Sequence, residues 1–204
     1  NINVGVAITA GKLGIGFTDT NIKVGNTALD SQTTGTNNVA VGNAALTVNT
    51  TGQSNVAVGG NTLDANTTGD YNTALGSSAL TNNTTGTLNT AVGQSTLFSN
   101  TTSSYNTAVG YNALNANTTG TRNTAVGALA LDTTSTANDN SAFGYNSLTA
   151  NTTGVDNNAF GVNSLDANTT GSRNNAFGYE ALTTNTTAED KTAFGHKTMQ
   201  DTTT

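Results

Sequence analysis

The chain has no cysteine, no proline and no tryptophan among its 204 residues, and only one histidine and one methionine. Without cysteine there is neither a disulfide nor a thiolate metal site, so the redox compartment is left open. Charged residues make 9% of the chain and aromatics 5%, a thinness that in other proteins signals disorder, but the proline and high net charge of disordered segments are missing too. Six Lys and Arg stand against twelve Asp and Glu, a formal charge of −6. No basic patch is therefore available for a phosphate backbone, and nucleic acid is excluded as a partner on electrostatic grounds. No apolar run approaches the roughly 18 residues of a membrane span, so no membrane insertion is expected in this segment. There is no initiator Met and no recognisable signal peptide, and the last repeat stops unfinished, which makes a piece of a longer protein the expectation.

What the chain does have is a strict period. From Asn21 onward a seventeen-residue unit recurs without insertion or deletion, typified by Asn106 to Arg122, NTAVGYNALNANTTGTR. Its glycine falls at Gly25, Gly42, Gly59, Gly76, Gly93, Gly110, Gly127, Gly144, Gly161, Gly178 and Gly195. Repetition this regular predicts units stacked on copies of themselves. Two regions follow: residues 1–20, a cap or a junction to an upstream shaft with Ile2, Val4, Val6 and Ile8 alternating as in a strand, and residues 21–204, eleven repeats of which the last is incomplete.

Stacking turns each position into a column. Position one is Asn in all units but the last, where Lys191 stands; position three is Ala after Lys23; position nine is Leu until Met199. Position four is Val or Leu from Val24 to Val126 and Phe from Phe143 to Phe194. Thr-Ala-Val-Gly alternates as a short strand does, whereas Asn-Thr-Thr-Gly at positions twelve to fifteen is turn chemistry, in which Asn and Gly tolerate positive φ. The stretch between, such as Tyr111 to Ala116, reads equally as a second short strand or as a helical turn. Seventeen residues suit an all-β fold, a β-solenoid of the β-roll or β-prism kind with two short strands and two bends per coil. At ~4.8 Å per coil the stack makes a rod roughly 50 Å long, with Asn columns able to pair amide to amide.

Each coil carries only two large apolar side chains, at positions four and nine, so a single solenoid has a lean core. Positions two and four share one strand face and positions three and five the other. The second face is almost wholly Ala and Gly and would let another backbone approach closely. On that basis the column Ala40, Ala57, Ala74, Ala91, Ala108, Ala125, Ala142, Ala159, Ala176 and Ala193 is expected to form the contact of a parallel homotrimer. The alternative is that Gly is there for a positive-φ bend and Ala for a tight coil interior.

The unit Asn-Thr-Ala-Val-Gly resembles the strand motif in the heads of trimeric autotransporter adhesins, and the longer pattern NTAVGYNALNANTTG is similar to repeats of phage tail fibres and other bacterial fibrous surface proteins. The resemblance covers residues 21–204, although the adhesin repeat is nearer fourteen residues. It implies a homotrimeric β-roll or β-prism serving as a stiff stalk or adhesive surface outside a cell or on a virion.

Little in the chain suggests chemistry, and no enzyme activity or cofactor is expected. His196 stands alone and makes no metal site. Asp139 and Asp156 fall one coil apart, near ~5 Å, a separation that retaining glycosidases use, but Arg122 and Arg173 flank them and favour an exposed charge ladder continuing to Asp190. Glu180 and Lys197 are a further expected cross-coil pair. Tyr111, Tyr145 and Tyr179 recur at position six of alternate units, ~10 Å apart, and are candidates for contact with cell-surface polysaccharide, or for packing at the rim. Asn49, Asn66, Asn83, Asn117, Asn151, Asn168 and Asn185 each open an Asn-Thr-Thr sequon and are candidates for glycosylation. The functional expectation is a structural and adhesive fibre segment. An ice-binding rod built on stacked Thr50-Thr67-Thr84 and Thr51-Thr68-Thr85 columns is the alternative, and a polysaccharide-cleaving tailspike a weaker one.

Overall fold

The computed structural model of the protein describes residues 20–200. The expected cap thus lies outside the described residues except for Thr20. Within them the chain is a β-solenoid without any helix: β1 (Ile22–Val24), β2 (Val39–Val41), β3 (Val56–Val58), β4 (Thr73–Leu75), β5 (Thr90–Val92), β6 (Thr107–Val109), β7 (Thr124–Val126), β8 (Ser141–Phe143), β9 (Asn158–Phe160), β10 (Asn175–Phe177) and β11 (Thr192–Phe194). They form one parallel sheet in chain order. Register is uniform, with Ala108 facing Ala91 and Ala125, and Val109 facing Val92 and Val126.

Each coil contains one three-residue strand rather than two. The stretch from position six to eleven is neither the second strand nor the helical turn but an irregular turn whose amides bond to adjacent coils, as in Leu46 N–H to Thr62 O at 3.0 Å. Sequence propensity conceals the reason. Positions seven, nine and seventeen hold non-glycine residues at left-handed φ, such as Asn112 (53°), Leu114 (52°) and Arg122 (57°). The left-handed region costs an L-residue ~1–2 kcal/mol, and for leucine complete burial returns ~2–3 kcal/mol.

That burial fills the coil interior. The position-nine leucines from Leu46 to Leu182 are fully buried against the position-three alanines and the Ala, Ser or Thr of position eight. The alanine column is therefore not a contact between chains. Ala40, Ala57, Ala74, Ala91, Ala108, Ala125, Ala142, Ala159 and Ala176 have no accessible surface even in the single chain, and Ala193 has 2%. Strand alternation paired the columns correctly but left open which face was inside. The narrow coil accepts a methyl there because leucine enters from the opposite wall.

Glycine at position five has two causes. Its φ lies between 122° and 142°, and a Cβ on Gly25 to Gly178 would stand 2.2–2.6 Å from backbone of the next coil's glycine. The glycine at position fifteen does not adopt positive φ as its turn chemistry suggested; there a Cβ would crowd the next coil's carbonyl, for example Ala137 O at 2.2 Å from Gly120. Ser103, Ala137 and Ala188 occupy the same column, so this contact yields locally.

Two buried amide columns tie the coils together. At position one, Asn72 Nδ2 donates to Gly86 O (2.9 Å) and to Asn55 Oδ1 (3.1 Å), while its own Oδ1 accepts the Asn89 backbone N–H (3.0 Å). At position twelve, Nδ2 donates backward along the stack, Asn66 to Asn49, Asn83 to Asn66, Asn100 to Asn83 and Asn117 to Asn100. Thr134 interrupts this second ladder, and Asn117 Oδ1 is left buried with no partner. A Cβ built on Gly120 would stand 2.5 Å from Asn117 Oδ1, yet Asn100 beside Ser103 and Asn185 beside Ala188 keep their ladder amides, so the Ala137 methyl does not account for Thr134.

Two stability outcomes follow, both read from chemical denaturation. Asn72→Ala orphans the Asn89 N–H and should cost about 2–4 kcal/mol. Thr134→Asn, the pairing with Ala137 that Asn185 already makes with Ala188, gives the orphaned Asn117 Oδ1 a donor, restores the ladder and should gain about 1–2 kcal/mol.

Candidate functional site

What the interior consumes, the exterior cannot use, and this sorts the candidate residues. The seven candidate asparagines, Asn49, Asn66, Asn83, Asn117, Asn151, Asn168 and Asn185, are all fully buried, and so is Asn100, which opens an eighth Asn-Thr-Thr triplet. Each directs its Nδ2, the atom that would carry a glycan, to a backbone oxygen three residues on, as Asn49 does to Gly52 O (2.9 Å) and Asn185 to Ala188 O (3.3 Å). In the folded rod these candidate acceptors are therefore inaccessible. The sequon arises because a ladder amide happens to precede two threonines.

Those two threonines are unlike one another. The position-thirteen hydroxyls are half-buried and donate to the next coil's carbonyl, Thr50 to Thr67 O (3.0 Å) and Thr67 to Thr84 O (3.0 Å). Backbone N–H groups of positions thirteen to fifteen converge on the same oxygen, as Thr50, Thr51 and Gly52 do on Thr67 O. The position-fourteen residues, Thr34 through Thr187, are exposed in every coil. A flat double file of threonine is thus reduced to a single one.

The outward sheet face carries positions two and four. Val41, Val58, Val92, Val109 and Val126 are half-buried, Leu75 is 42% exposed and Phe194 77% exposed. Phe143, Phe160, Phe177 and Phe194 stack ring on ring with centroids 4.6, 4.9 and 4.9 Å apart. This apolar stripe extends over ten coil steps, ~48 Å, and about 10 Å of strand width. Monomeric proteins rarely leave a contiguous apolar patch of several hundred Å² in water.

The tyrosine candidates divide. Tyr111 and Tyr145 are about half exposed. Tyr179 belongs to a polar cluster: His196 stacks on its ring at 5.2 Å, Lys197 Nζ lies 6.0 Å from the ring centroid and 3.4 Å from Glu180, and Gln200 donates to Glu180 at 3.1 Å. The hydrogen bond from Tyr179 holds the Glu180 carboxyl below its ordinary range and raises the tyrosine's own. Tyr71 and Tyr105 at position seventeen, 55% and 59% exposed, belong to the column that also carries the charges.

In that column Arg122 grips Asp139 with two bonds, Nε to Oδ1 at 2.6 Å and Nη2 to Oδ2 at 2.8 Å, and Arg173 grips Asp190 and Glu189. Asp156 falls between the two groups. The hydrogen bond from Arg122 lowers the Asp139 carboxyl below its usual range, the opposite of what a general acid needs. Asp132 and Asp166, at position ten, are instead raised by burial. No group of three potential metal ligands occurs among the described residues. A cavity of about 420 Å³, lined by Asn21, Lys23, Leu29 and their neighbours, opens at the first coil, away from these columns.

Two outcomes are expected here. When the chain is secreted by a eukaryotic cell, mass spectrometry of the soluble, folded fraction should find these eight buried Asn-Thr-Thr asparagines free of glycan, with any chain glycosylated at them confined to aggregates. Asp132 is raised in the folded state, so its favourable contribution is present at low pH and is lost as pH rises through the ordinary carboxylate range and the folded value. Asp132→Asn should therefore raise the melting temperature at pH 7 and leave it nearly unchanged at pH 3.

Compared with known proteins, the chain matches no family model, no curated protein and no solved structure.

Proposed function

We infer that the protein is a rigid extracellular fibre segment that self-associates along its outward sheet face and supports attachment to a cell surface. One observation carries this reading: an unbroken apolar stripe, Val24 to Phe194, on an otherwise polar rod. A solenoid built for solubility as a single chain would place Thr, Ser or Asn at position four. Instead every coil presents Val, Leu or Phe, and the aromatic end is already organised as a stack.

The resemblance of the repeat to trimeric adhesin heads and tail fibres favours three parallel copies around a common axis, each turning this stripe inward. In register, valine would meet valine and phenylalanine meet phenylalanine, and the polar column at position fourteen would remain outside. The interior of each coil is complete by itself, so assembly is asked only to cover the stripe.

Light scattering coupled to size exclusion should give three chains. Phe160→Glu projects a charge from the stripe without entering the coil interior and should release monomers with an unchanged far-ultraviolet spectrum. A wild-type monomer would remove the reading. The ice-binding alternative retains the exposed position-fourteen threonines; their single file predicts no thermal hysteresis in dilute solution, and measurable hysteresis would replace the fibre reading.

A further inference from the structure

Large apolar side chains that reach water are not spread evenly round the rod. Among the described residues fourteen are exposed, and all but Val48 and Met199 lie on one side of the coil. They occupy the outward strand face, the position-seventeen column just before the strand, or the position-six column just after it. The column before carries Tyr71, Leu88 and Tyr105, 46–59% exposed, and the column after carries Tyr111, Tyr145, Val162 and Tyr179, 39–52% exposed. The apolar stripe thus has two borders that are themselves partly apolar. The backbone of the first border adds to this. Tyr71, Leu88 and Tyr105 hold left-handed φ values of 57°, 58° and 64°, a region that disfavours bulky L-residues. Leu114 offsets the same conformation by complete burial, whereas these three, about half exposed, have no such return within one chain.

The two borders of one strand lie roughly 15–20 Å apart across it, so they do not touch within a chain. They nevertheless divide the bulk between them, level by level. Tyr71 precedes β4 and Ser77 follows it; Leu88 precedes β5 and Gln94 follows it; Arg122 precedes β7 and Ala128 follows it. From β8 to β10 the large side chain stands after the strand and a charge before it, Asp139 with Tyr145, Asp156 with Val162 and Arg173 with Tyr179. Only at β6 does each border carry a large apolar residue, Tyr105 on one side and Tyr111 on the other. Complementarity between columns that cannot meet in one chain has its physical use between chains. In a parallel cyclic assembly with the stripe turned inward, the leading border of one copy meets the trailing border of the next at the same level, whether the ring closes on two copies or three.

We propose that the position-seventeen column of one copy seats in register against the position-six column of the next, with Tyr105 against the neighbouring copy's Tyr111 at the level of β6. This seam rests on the self-association reading above and adds to it the direction and register of the copies. An antiparallel pair would instead set the position-seventeen column against itself with its levels reversed. The position-fourteen threonines lie outside the seam.

The chain contains no cysteine, so introduced thiols report on the seam without background. The double variant Tyr105→Cys, Tyr111→Cys is treated with a short bifunctional thiol reagent at concentrations where light scattering shows assembly. Denaturing gels should then show covalent oligomers up to the size of the assembly. Each single variant should run as one chain, and Tyr105→Cys combined with Tyr145→Cys, two levels or ~9.6 Å out of step, should cross-link poorly. Ser77→Trp tests the seam without thiol geometry: it adds bulk where the neighbouring copy's Tyr71 is seated and should weaken assembly about tenfold or more. Thr85→Trp, in the exposed position-fourteen column, should leave assembly unchanged, and both variants should keep the wild-type far-ultraviolet spectrum. An assembled double variant that stays uncross-linked, single variants that cross-link as well as the double, or a Ser77→Trp chain that associates as tightly as wild type overturns the seam and leaves self-association standing. A wild-type chain that scatters as a monomer overturns both.

Discussion

Successive coils touch backbone to backbone at the position-five glycine, closely enough that a methyl group would not fit. Everything else takes its spacing from this contact. Because the approach is the same at every step, any side chain placed at one position meets its own kind one coil later, and the chemistry of the molecule becomes a set of columns. Amides in a column can hand hydrogen bonds along it without end, rings can stack, and charges can alternate. The same geometry penalises a single inserted residue, which would shift every later column out of line, and the eleven units carry none.

Division of labour between inner and outer columns explains how so few large apolar residues suffice. Leucine alone is the bulky core residue, buried at the cost of a left-handed backbone in each coil. The remaining interior is methyl groups and hydrogen-bonded amides, whose burial is tolerable because nearly every polar atom is matched by a neighbour above or below. Where the match fails, as at Asn117, the cause is a one-residue departure from the pattern in the coil that follows. The larger apolar side chains of position four are thereby surplus to the coil, which is why their presence on the outside has to be accounted for by something beyond the single chain.

Much of this could be read in the sequence. The period, the parallel stack, the strand at Thr-Ala-Val, the amide columns and the pairing of Glu180 with Lys197 all follow from residue type and spacing. Three things did not. Alternation in Thr-Ala-Val-Gly separates two faces but gives no sign of which is interior, and the usual preference of Val over Ala for burial points the wrong way in a coil already filled by leucine. Leu114 and its equivalents occupy a backbone region that propensity assigns to Gly and Asn, so no local rule finds that turn. The Asn-Thr-Thr sequon is legible as a motif, but only burial distinguishes a modification site from a ladder rung. Of the surface candidates, the tyrosine column was visible as a recurrence, whereas the difference between Tyr179 and the other two depends on His196, Glu180 and Lys197 folding onto it.

The identity of each coil with the next has a bearing on how such a molecule changes size. Because entry and exit of a coil superimpose on those of its neighbour, duplicating or deleting one whole unit alters the reach of the rod by a single fixed increment and disturbs no existing junction. Length thus varies as on a ruler, in whole steps. A feature written into one rung, such as the break that Thr134 makes in the amide column, can be carried nearer to or farther from either end without being rebuilt.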